Sequence, residues 1–320
     1  MKLRTGVGFL VLAALAVLFS YLTLTTGSVE ISWSNLFSAD KTDMAGRIFW
    51  EIRFPRLMAA VLSGISLAVA GLSLQTLFRN PLAGPFVLGI SSGASLGVAL
   101  SLLAGFSFGH LGVLSSAAVG AFGVTAIVMA VSSRFNNSTI LLVVGLLIGY
   151  FIDALVSLLI VHSDAESLRV YVSWGMGSFG RLTSGGIGFF VSVTVAGLLL
   201  VVCAMRYLNA VRLGDDFARG LGVNVRLGRT LVLLGTSVLA ASATAFCGPV
   251  AFVGIAVPHL AYMLFRTSNH RVLLPGSALC GAVLCLAASL FQTLPLNAVL
   301  SLVGVPVVLW VIVRGGRSRS

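Results

Sequence analysis

Long apolar runs separated by short polar segments dominate the sequence. Ten such runs fall at about residues 6–26, 57–77, 86–105, 112–132, 139–161, 187–206, 229–247, 250–265, 273–291 and 298–313. A helix needs about 20 predominantly apolar residues to cross a bilayer, so the pattern predicts an all-α polytopic membrane protein with about ten transmembrane helices. The run at 250–265 is short and contains Pro258, which leaves nine spans as an alternative count.

The first apolar run follows a basic start, Met1-Lys2-Leu3-Arg4. A cleaved signal peptide begins in the same way, but its apolar segment is shorter and ends at a small-residue cleavage site. This run is long and lacks a convincing small-x-small site, so we favour a retained first helix over a signal peptide. Residues 1–320 are then expected to form a single transmembrane domain.

The composition excludes several classes of protein. Of the 320 residues, 58% are hydrophobic and 9% are charged, whereas soluble domains carry about 25% charged residues. A cytosolic enzyme is therefore excluded. The net charge of +11 does not indicate a nucleic-acid partner, because the cations lie between apolar runs and not on one water-facing surface. The expected surroundings are membrane lipid.

The distribution of cations predicts the orientation of the chain. With ten spans and a cytoplasmic N-terminus, the inside segments hold 14 of the 20 Lys and Arg residues, whereas six of the nine acids lie outside. Cytoplasmic loops are enriched in Lys and Arg, so both termini are predicted to be cytoplasmic. Nine spans would place the Arg-rich C-terminus outside.

Glycine and proline mark where helices pack or break. Gly89, Gly93 and Gly97 share one helix face, and small residues let helices approach closely in lipid, so we expect this ridge to pack against a neighbour. Residues 84–89 and 248–254 both begin with Gly-Pro and precede an apolar run. This short similarity is a possible internal repeat of the kind common in transporters.

The non-apolar segments, taken in order, resemble the FecCD-type permeases of ATP-binding-cassette importers for cobalamin, haem and iron–siderophore complexes. The resemblance covers nearly the whole chain from about Gly27 onward. It rests on the motifs R-x-P-R at 53–56, N-P-L-A-x-P at 80–85, L-G-x-S-x-G-A at 88–94, W-G-M-G-S-F-G at 174–180, V-P-H at 257–259 and H-R-x-L-L-P-G at 270–276.

The resemblance implies a permease domain over 1–320 in the bacterial inner membrane. It implies a homodimer with one pathway along the two-fold axis, two ATP-binding-cassette ATPase subunits beneath it and a substrate-binding protein outside. ATP is then used by the partner subunit, because this sequence has no G-x-x-x-x-G-K-[ST] phosphate loop. We expect no enzymatic activity, no covalent cofactor and no metal site in the chain. The cargo would be a metal chelate, and the sequence does not choose among ferric siderophore, haem and cobalamin.

The polar segment 207–228 matches the family's coupling helices, which fit a groove on the ATPase. Phe217 and Leu221 would be apolar anchors and Arg219 a charged contact. The full set implied is Gly214, Asp215, Asp216, Phe217, Ala218, Arg219, Leu221 and Gly222. A plain surface loop is the alternative.

Arg53 and Arg56 match the outside arginines that meet glutamates of the binding protein in the family. Such charge-assisted pairs set orientation and on-rate; an arginine that anchors a helix end is the alternative. The family often has A-D-x-x-A-R before the last helix, but this chain has Ala288 and Gln292 at the Asp and Arg positions. A second departure puts Asn297 at the glycine of the terminal P-x-G motif.

Asn137, Ser138 and Thr139 match the loop that narrows the cytoplasmic end of the pathway in the cobalamin member. An ordinary N-terminal helix cap is the alternative. Asp153 lies inside an apolar run, where a carboxylate costs about 2.5–3.5 kcal/mol or more, so it is a candidate pathway residue. His259 follows a proline, and we favour a structural hydrogen bond for it over substrate or metal ligation.

Two other classes of protein compete with an importer permease. An ion-gradient-driven secondary transporter needs intramembrane acids or ion ligands in broken helices, and Asp153 is the one clear candidate. An intramembrane hydrolase needs a nucleophile with a helix-borne His or a motif such as H-E-x-x-H, and neither is found in the sequence.

Overall fold

The structure, a computed structural model, describes residues 2–27, 44–106, 112–134 and 138–317. Every regular element in these ranges is helical, so the predicted all-α polytopic fold is confirmed. The α-helices are α1 Lys2–Thr25, α2 Met44–Ile48, α3 Phe54–Phe78, α4 Ile90–Leu102, α5 Val113–Arg134, α6 Ser138–Val161, α7 Ala165–Gly175, α8 Ser184–Cys203, α9 Met205–Val211, α10 Asp215–Gly220, α11 Val225–Cys247, α12 Val253–Phe265, α13 His270–Ser289 and α14 Leu296–Arg317. A π-helical turn at Phe49–Arg53 joins α2 to α3, and 3-10 turns lie at Pro85–Leu88 and Phe179–Arg181.

Each predicted apolar run contains one of these helices. In the part of the chain that the structure describes, seven helical stretches are long and apolar enough to cross a membrane: α1, α2 with α3, α5, α6, α8, α11 and α13. The other three runs contain shorter apolar helices, namely α4, α12 and the Leu296–Trp310 part of α14. The choice between ten and nine spans, and the cytoplasmic location of both termini, stay predictions.

Helices α4 and α12 begin later than their apolar runs and are only 13 residues long. In front of α4, the 3-10 turn ends at Gly89 with a φ of 72°. In front of α12, the φ angles of Gly248 and Phe252 are 77° and 65°. Left-handed residues and prolines interrupt the helical hydrogen-bond pattern. Each helix therefore starts at a buried residue and is about 20 Å long, shorter than the ~30 Å hydrocarbon core.

Helix α3 lies at the centre of the fold. Most of its residues from Ala59 to Phe78 are buried, and it packs against α8, α11, α12 and α13. Two glycines allow contact between backbones. A Cβ on Gly64 would lie 2.3 Å from the carbonyl oxygen of Gly281, and one on Gly71 would lie 1.8 Å from that of Gly254. These contacts fix α3 closely against α13 and α12.

The predicted glycine ridge joins α4 to two neighbours. A Cβ on Gly97 would lie 1.9 Å from the carbonyl oxygen of Ser116, and one on Gly93 would lie 2.5 Å from that of Gly120. Both of these contacts are with α5, whereas Gly89 approaches α6. The expectation of close packing is confirmed, and the ridge serves two helices.

The first apolar run forms a helix that packs against α13. The rings of Phe9 and Phe265 lie 4.7 Å apart at the α12 side. Near the other end of α1, the hydroxyls of Thr23 and Ser289 are 2.9 Å apart and share a buried hydrogen bond. Helix α1 is thus part of the packed helical assembly.

Candidate functional site

The 207–228 segment contains most of α9, all of α10 and the first residues of α11. Gly214 precedes α10 with a φ of 121°, and Gly222 follows it with a φ of 75°. L-residues with a side chain rarely adopt such angles. Glycine at both places therefore lets the chain change direction before and after the six-residue helix α10. The sequence thereby isolates α10 as a short rigid element between two spans.

An apolar stripe on this segment is exposed. Leu213, Phe217 and Leu221, each four residues apart, have 71%, 47% and 61% of their surface exposed, whereas Ala218 is fully buried. The predicted anchors Phe217 and Leu221 therefore point away from the chain. Contiguous exposed apolar side chains framed by charge are typical of protein–protein contacts.

Asp215 lies between two arginines from spanning helices. Its Oδ2 accepts a hydrogen bond from Nη2 of Arg229 at 2.8 Å, and its Oδ1 is 3.5 Å from Nη2 of Arg79. The Arg229 side chain is only 5% exposed. The neighbouring Asp216 is paired with Arg219 at 3.1 Å on the surface. The two adjacent aspartates thus differ in role: Asp215 holds α10 to α3 and α11, and Asp216 faces the aqueous side.

A second polar connection links α9 to α3. Nδ1 of His270 is 2.9 Å from Oδ1 of Asn209, and its Nε2 is 2.9 Å from Oγ1 of Thr76. Because Oδ1 of Asn209 is an acceptor, the Nδ1–H of His270 donates to it. Nε2 faces Oγ1 of Thr76, whose hydroxyl also donates to the carbonyl oxygen of Leu72 at 2.9 Å. The same Asn209 oxygen accepts the backbone N–H of His270, which fixes the start of α13.

Arg53 immediately precedes α3, at the end of the helix that is predicted to face outside, and its side chain is buried. Its Nη1 donates to the carbonyl oxygens of Leu24 and Thr25 at the end of α1. Carbonyl groups at a helix C-terminus lack helical partners and carry partial negative charge, so the guanidinium caps α1. This is the helix-anchoring alternative considered for this residue.

Arg56 is half-buried in a cleft at the same end of α3, which Ser289 and Gln292 also line. Because this end is predicted to face outside, the cleft is called the outer cleft. Gly180, on the 3-10 turn before α8, lies beside its guanidinium. The predicted docking arginine and the position where the family pattern has a further arginine therefore share one cleft. Because Gln292 carries no charge, Arg56 is the cation of this cleft among its lining residues.

Asp153 is exposed on α6 and belongs to a polar stripe. Tyr150, Asp153 and Ser157 are exposed at spacings of three and four residues, which places them on one face of the helix. A separate exposed stripe of α6 is apolar and contains Leu147, Phe151 and Leu158. Leu146, seven residues before Asp153, is also exposed on the face with Tyr150 and Ser157, so that face is polar only in part.

The polar stripe continues onto α4 and α7. The Tyr171 hydroxyl is 2.7 Å from Oγ of Ser95, and burial raises the pKa of that hydroxyl, with the nearby carboxylate of Asp153 acting in the same direction. Helix α7 is started by Asp164, whose carboxylate accepts the N–H groups of Ser167 and Glu166. The hydrogen bond from the backbone N–H of Ser167, with a smaller contribution from that of Glu166, stabilises the carboxylate and lowers the pKa of Asp164.

The remaining candidates are placed as follows. Asn137 lies outside the described residues, and Ser138 and Thr139 begin α6 with side chains that are not described. Nε2 of His259 contacts the carbonyl oxygen of Pro81 at 2.9 Å, the structural hydrogen bond that we favoured. Among the residues described, no group of three or more His, Cys, Asp and Glu is placed to hold a metal ion.

Several connecting residues were not singled out from the sequence. Arg79 and Arg229 contribute to the sequence prediction only as inside cations, and Asn209 does not enter it. The contacts of Arg79 with Asp215 and of Asn209 with His270 join distant parts of the chain. Asn297, a departure from the family pattern, donates to the carbonyl oxygen of Gly175 and accepts from the N–H of Ala251. In the sequence, each of these residues is recognisable only as a polar side chain near the end of an apolar run. That position does not indicate which residue it contacts.

Comparisons with known proteins agree with this architecture. The family model of the FecCD transport family matches residues 14–314. The hemin transport system permease protein HmuU of Yersinia pestis is 38% identical, with 99% of this chain and 98% of that protein covered. The vitamin B12 import system permease protein BtuC of Salmonella typhi is 32% identical, with 96% and 94% covered.

A solved structure has a closely similar fold. It is an inward-facing conformation of a putative metal-chelate type ABC transporter, with a TM-score of 0.83, 30% identity and coverage of 97% of this chain and 98% of that chain. The family model and both relatives extend over nearly the whole length. The chain belongs to the FecCD transport family.

Proposed function

We propose that this protein is the permease subunit of an ATP-driven importer that moves a metal chelate from an external binding protein to the cytoplasm. The observation that carries the proposal is the exposed apolar set Leu213, Phe217 and Leu221 in and beside α10, a short helix tied to the spanning helices by the contact of Asp215 with the buried Arg229. Membership of a family whose relatives import hemin and vitamin B12 supports the same function. The protein is a multi-pass inner-membrane protein.

The 207–228 segment is the docking site for an ATP-binding-cassette ATPase. Phe217 and Leu221 supply apolar area, and the Asp216–Arg219 pair supplies surface charge beside them. ATP hydrolysis then occurs on the partner, since this sequence has no phosphate loop. A homodimer would present two copies of α10, one for each of two ATPase subunits.

Arg56 is the docking contact for the binding protein, and Arg53 stabilises the same end of α3 by binding the C-terminal carbonyl groups of α1. The Arg56 side chain reaches an outer cleft, whereas that of Arg53 is buried against the end of α1. A carboxylate of the binding protein paired with Arg56 would orient the complex. Loss of Arg56 should weaken docking directly, and loss of Arg53 should displace α1.

The polar stripe with Asp153 lines the substrate pathway, and Asn137, Ser138 and Thr139 form its cytoplasmic gate. A polar face on a spanning helix is unfavourable against lipid and favourable against a hydrated path or a second copy. Replacement of Asp153 by Asn keeps the shape and removes the charge. Unchanged uptake by Asp153→Asn, at equal protein levels, would contradict a role for the carboxylate in transport.

Reconstitution tests the importer function. The permease is purified with its ATPase partner, placed in proteoliposomes with ATP on the ATPase side, and supplied with binding protein and haem, cobalamin or a ferric siderophore. We expect uptake of one chelate class that needs ATP and stops with vanadate. Uptake driven by an ion gradient without ATP would identify a secondary transporter instead.

A pair of variants tests ATPase docking on α10. Leu221→Asp places a charge in the exposed stripe and should abolish both co-purification of the ATPase and ATP-driven uptake. Leu82→Asp is the matched control, because Leu82 is also an exposed leucine in a segment predicted to be cytoplasmic, outside 207–228. Retention of the ATPase by Leu221→Asp at wild-type level would remove the docking role.

A further inference from the structure

We propose that α3 is a rigid strut that couples the ATPase-docking segment to the outer cleft, with Arg79 and Arg229 as positioning residues that clamp Asp215. The proposal rests on the proposed function, because it assumes that α10 meets an ATPase and that Arg56 meets the binding protein. It adds the physical connection between those two sites, which lie at opposite ends of one helix.

The strut is long and firmly packed. Helix α3 has 25 residues, which corresponds to about 37 Å at 1.5 Å per residue, so it extends across the hydrocarbon core. Backbone-to-backbone contacts at Gly64 and Gly71 hold it against α13 and α12. Closely packed helices move as units and do not deform continuously. Displacement of one end of α3 is therefore transmitted to the other.

The inner end of the strut grips the 207–228 segment on both sides of Gly214. Arg79 caps α3 in a left-handed conformation, with a φ of 47°. Its Nε donates to the carbonyl oxygen of Val211 at 3.2 Å, and its Nη2 lies 3.5 Å from the carboxylate of Asp215. The Arg79 side chain thus contacts both α9 and α10 and connects them across Gly214.

Arg229 makes the grip costly to break. Its side chain is 5% exposed and donates to Asp215 at 2.8 Å. Separating a buried arginine from its carboxylate leaves an uncompensated charge in a poorly solvated place. Movement of α10 therefore carries Asp215, Arg229 and Arg79 together, and with them α11 and α3.

The Thr76–His270–Asn209 connection runs parallel to this clamp. It ties the last turn of α3 to α9 through the first residue of α13. The His270 side chain is fully buried, so this contact also resists separation. Two independent polar links thus join the inner end of the strut to the segment that would receive the ATPase.

The outer end of the strut carries the docking residues. Arg53 immediately precedes α3 and binds carbonyl groups of α1, and Arg56 lies in its first turn beside the cleft. A shift of α3 along or about its axis repositions Arg56 relative to Gln292 on the other side of the cleft. Nucleotide state at one end then alters affinity for the binding protein at the other. By linkage, the binding protein alters nucleotide affinity by the same factor.

The experiment measures that factor in the intact complex of permease, ATPase and binding protein. The affinity of the binding protein is determined with and without nucleotide trapped by vanadate, and the ratio of the two affinities is the coupling. Allosteric couplings are typically about 5–150-fold. We expect such a ratio for the unmodified protein and a ratio within about twofold of unity for Arg79→Gln. A purely structural role would change stability or both affinities without changing the ratio.

Three further variants complete the design. Arg271→Gln removes an exposed arginine at the start of α13, outside residues 207–228, and should keep the full ratio. Arg79→Lys keeps a cation for Asp215 and should recover most of the wild-type affinity ratio. If the ratio of Arg79→Lys is no larger than that of Arg79→Gln, the ion-pair role is contradicted. Leu221→Asp should lose the ATPase altogether. If Leu221→Asp loses the ATPase while Arg79→Gln keeps the full ratio, the strut is wrong and ATPase docking stands.

Discussion

At the scale of single residues, Asp215 and Asp216 are neighbours with opposite environments. The Asp215 side chain is 28% exposed and faces two arginines, whereas that of Asp216 is 97% exposed and pairs with Arg219. Asp215→Asn removes the charge that compensates the buried Arg229. Partial exposure of the carboxylate reduces the cost below that of a fully buried pair, to about 1–3 kcal/mol.

The matched substitution Asp216→Asn should cost almost nothing, because exposed ion pairs contribute little. Thermal unfolding of the two variants in one detergent, followed by loss of the monodisperse peak, compares them directly. We expect a lower midpoint for Asp215→Asn only. Equal midpoints for both variants would show that the Arg229 contact does not support the fold.

Gln292 offers a gain-of-function prediction at the outer cleft. Gln292→Arg restores the cation of the family pattern beside Arg56, so an acidic binding protein should bind several-fold more tightly, and the gain should shrink with added salt. Thr293→Arg is the control, because Thr293 is exposed next to the cleft without lining it. A gain of the same size for both variants would reflect general electrostatic attraction and not this cleft.

Residue roles were only partly predictable from the sequence. The R-x-P-R motif predicted two arginines at the start of a helix, and Arg53 and Arg56 lie at the N-terminal end of α3; that this end faces outside stays a prediction. Three positions apart on helical backbone, they differ because α1 ends beside Arg53 and the cleft opens beside Arg56. Such neighbours come from distant parts of the chain, and no local pattern encodes them.

At the scale of elements, each apolar run coincides with a helix of the described residues, and two runs begin several residues before their helices. The runs at 86–105 and 250–265 contain turns formed by Pro85–Leu88 and by Gly248–Phe252, whose residues are as apolar as the helices that follow. Hydropathy measures how favourably residues transfer to lipid, and it carries no information about backbone conformation. An apolar turn and the apolar helix that follows it therefore look like one run. The two Gly-Pro segments that looked similar in sequence each lead into a helix of 13 residues.

Helix packing gives a prediction at glycine. Gly71→Ala would place a Cβ 1.8 Å from the carbonyl oxygen of Gly254, so α3 and α12 must separate. We expect a loss of about 3 kcal/mol, the upper end of overpacking costs, seen as lower yield and a lower unfolding midpoint. Gly123→Ala on α5 meets nothing within 4 Å and should be neutral. Equal behaviour of the two variants would contradict the contact.

At the scale of the whole molecule, buried central helices are distinguished from peripheral helices with exposed apolar surfaces, and the buried charges lie with the central helices. The central helices are buried on nearly all sides, while α1, α6 and α8 show broad exposed apolar surfaces in the part of the chain that the structure describes. Among the charged side chains that the structure describes, Arg53 and Arg229 are buried. Arg53 lies at one end of the central helix α3, and Arg229 is linked to the other end through Asp215 and Arg79.

Orientation and span number are testable by labelling single cysteines in cells with a membrane-impermeant maleimide. In a Cys203→Ser background, which removes the exposed native thiol, Met44→Cys should react from outside and Leu213→Cys only after permeabilisation, since both side chains are exposed. Ser320→Cys decides the count. Ten spans with the positive-inside arrangement predict that it too reacts only after permeabilisation, whereas nine spans place it outside. Labelling of Ser320→Cys in intact cells, with Leu213→Cys still protected, would therefore establish nine spans and move the Arg-rich C-terminus to the outer face.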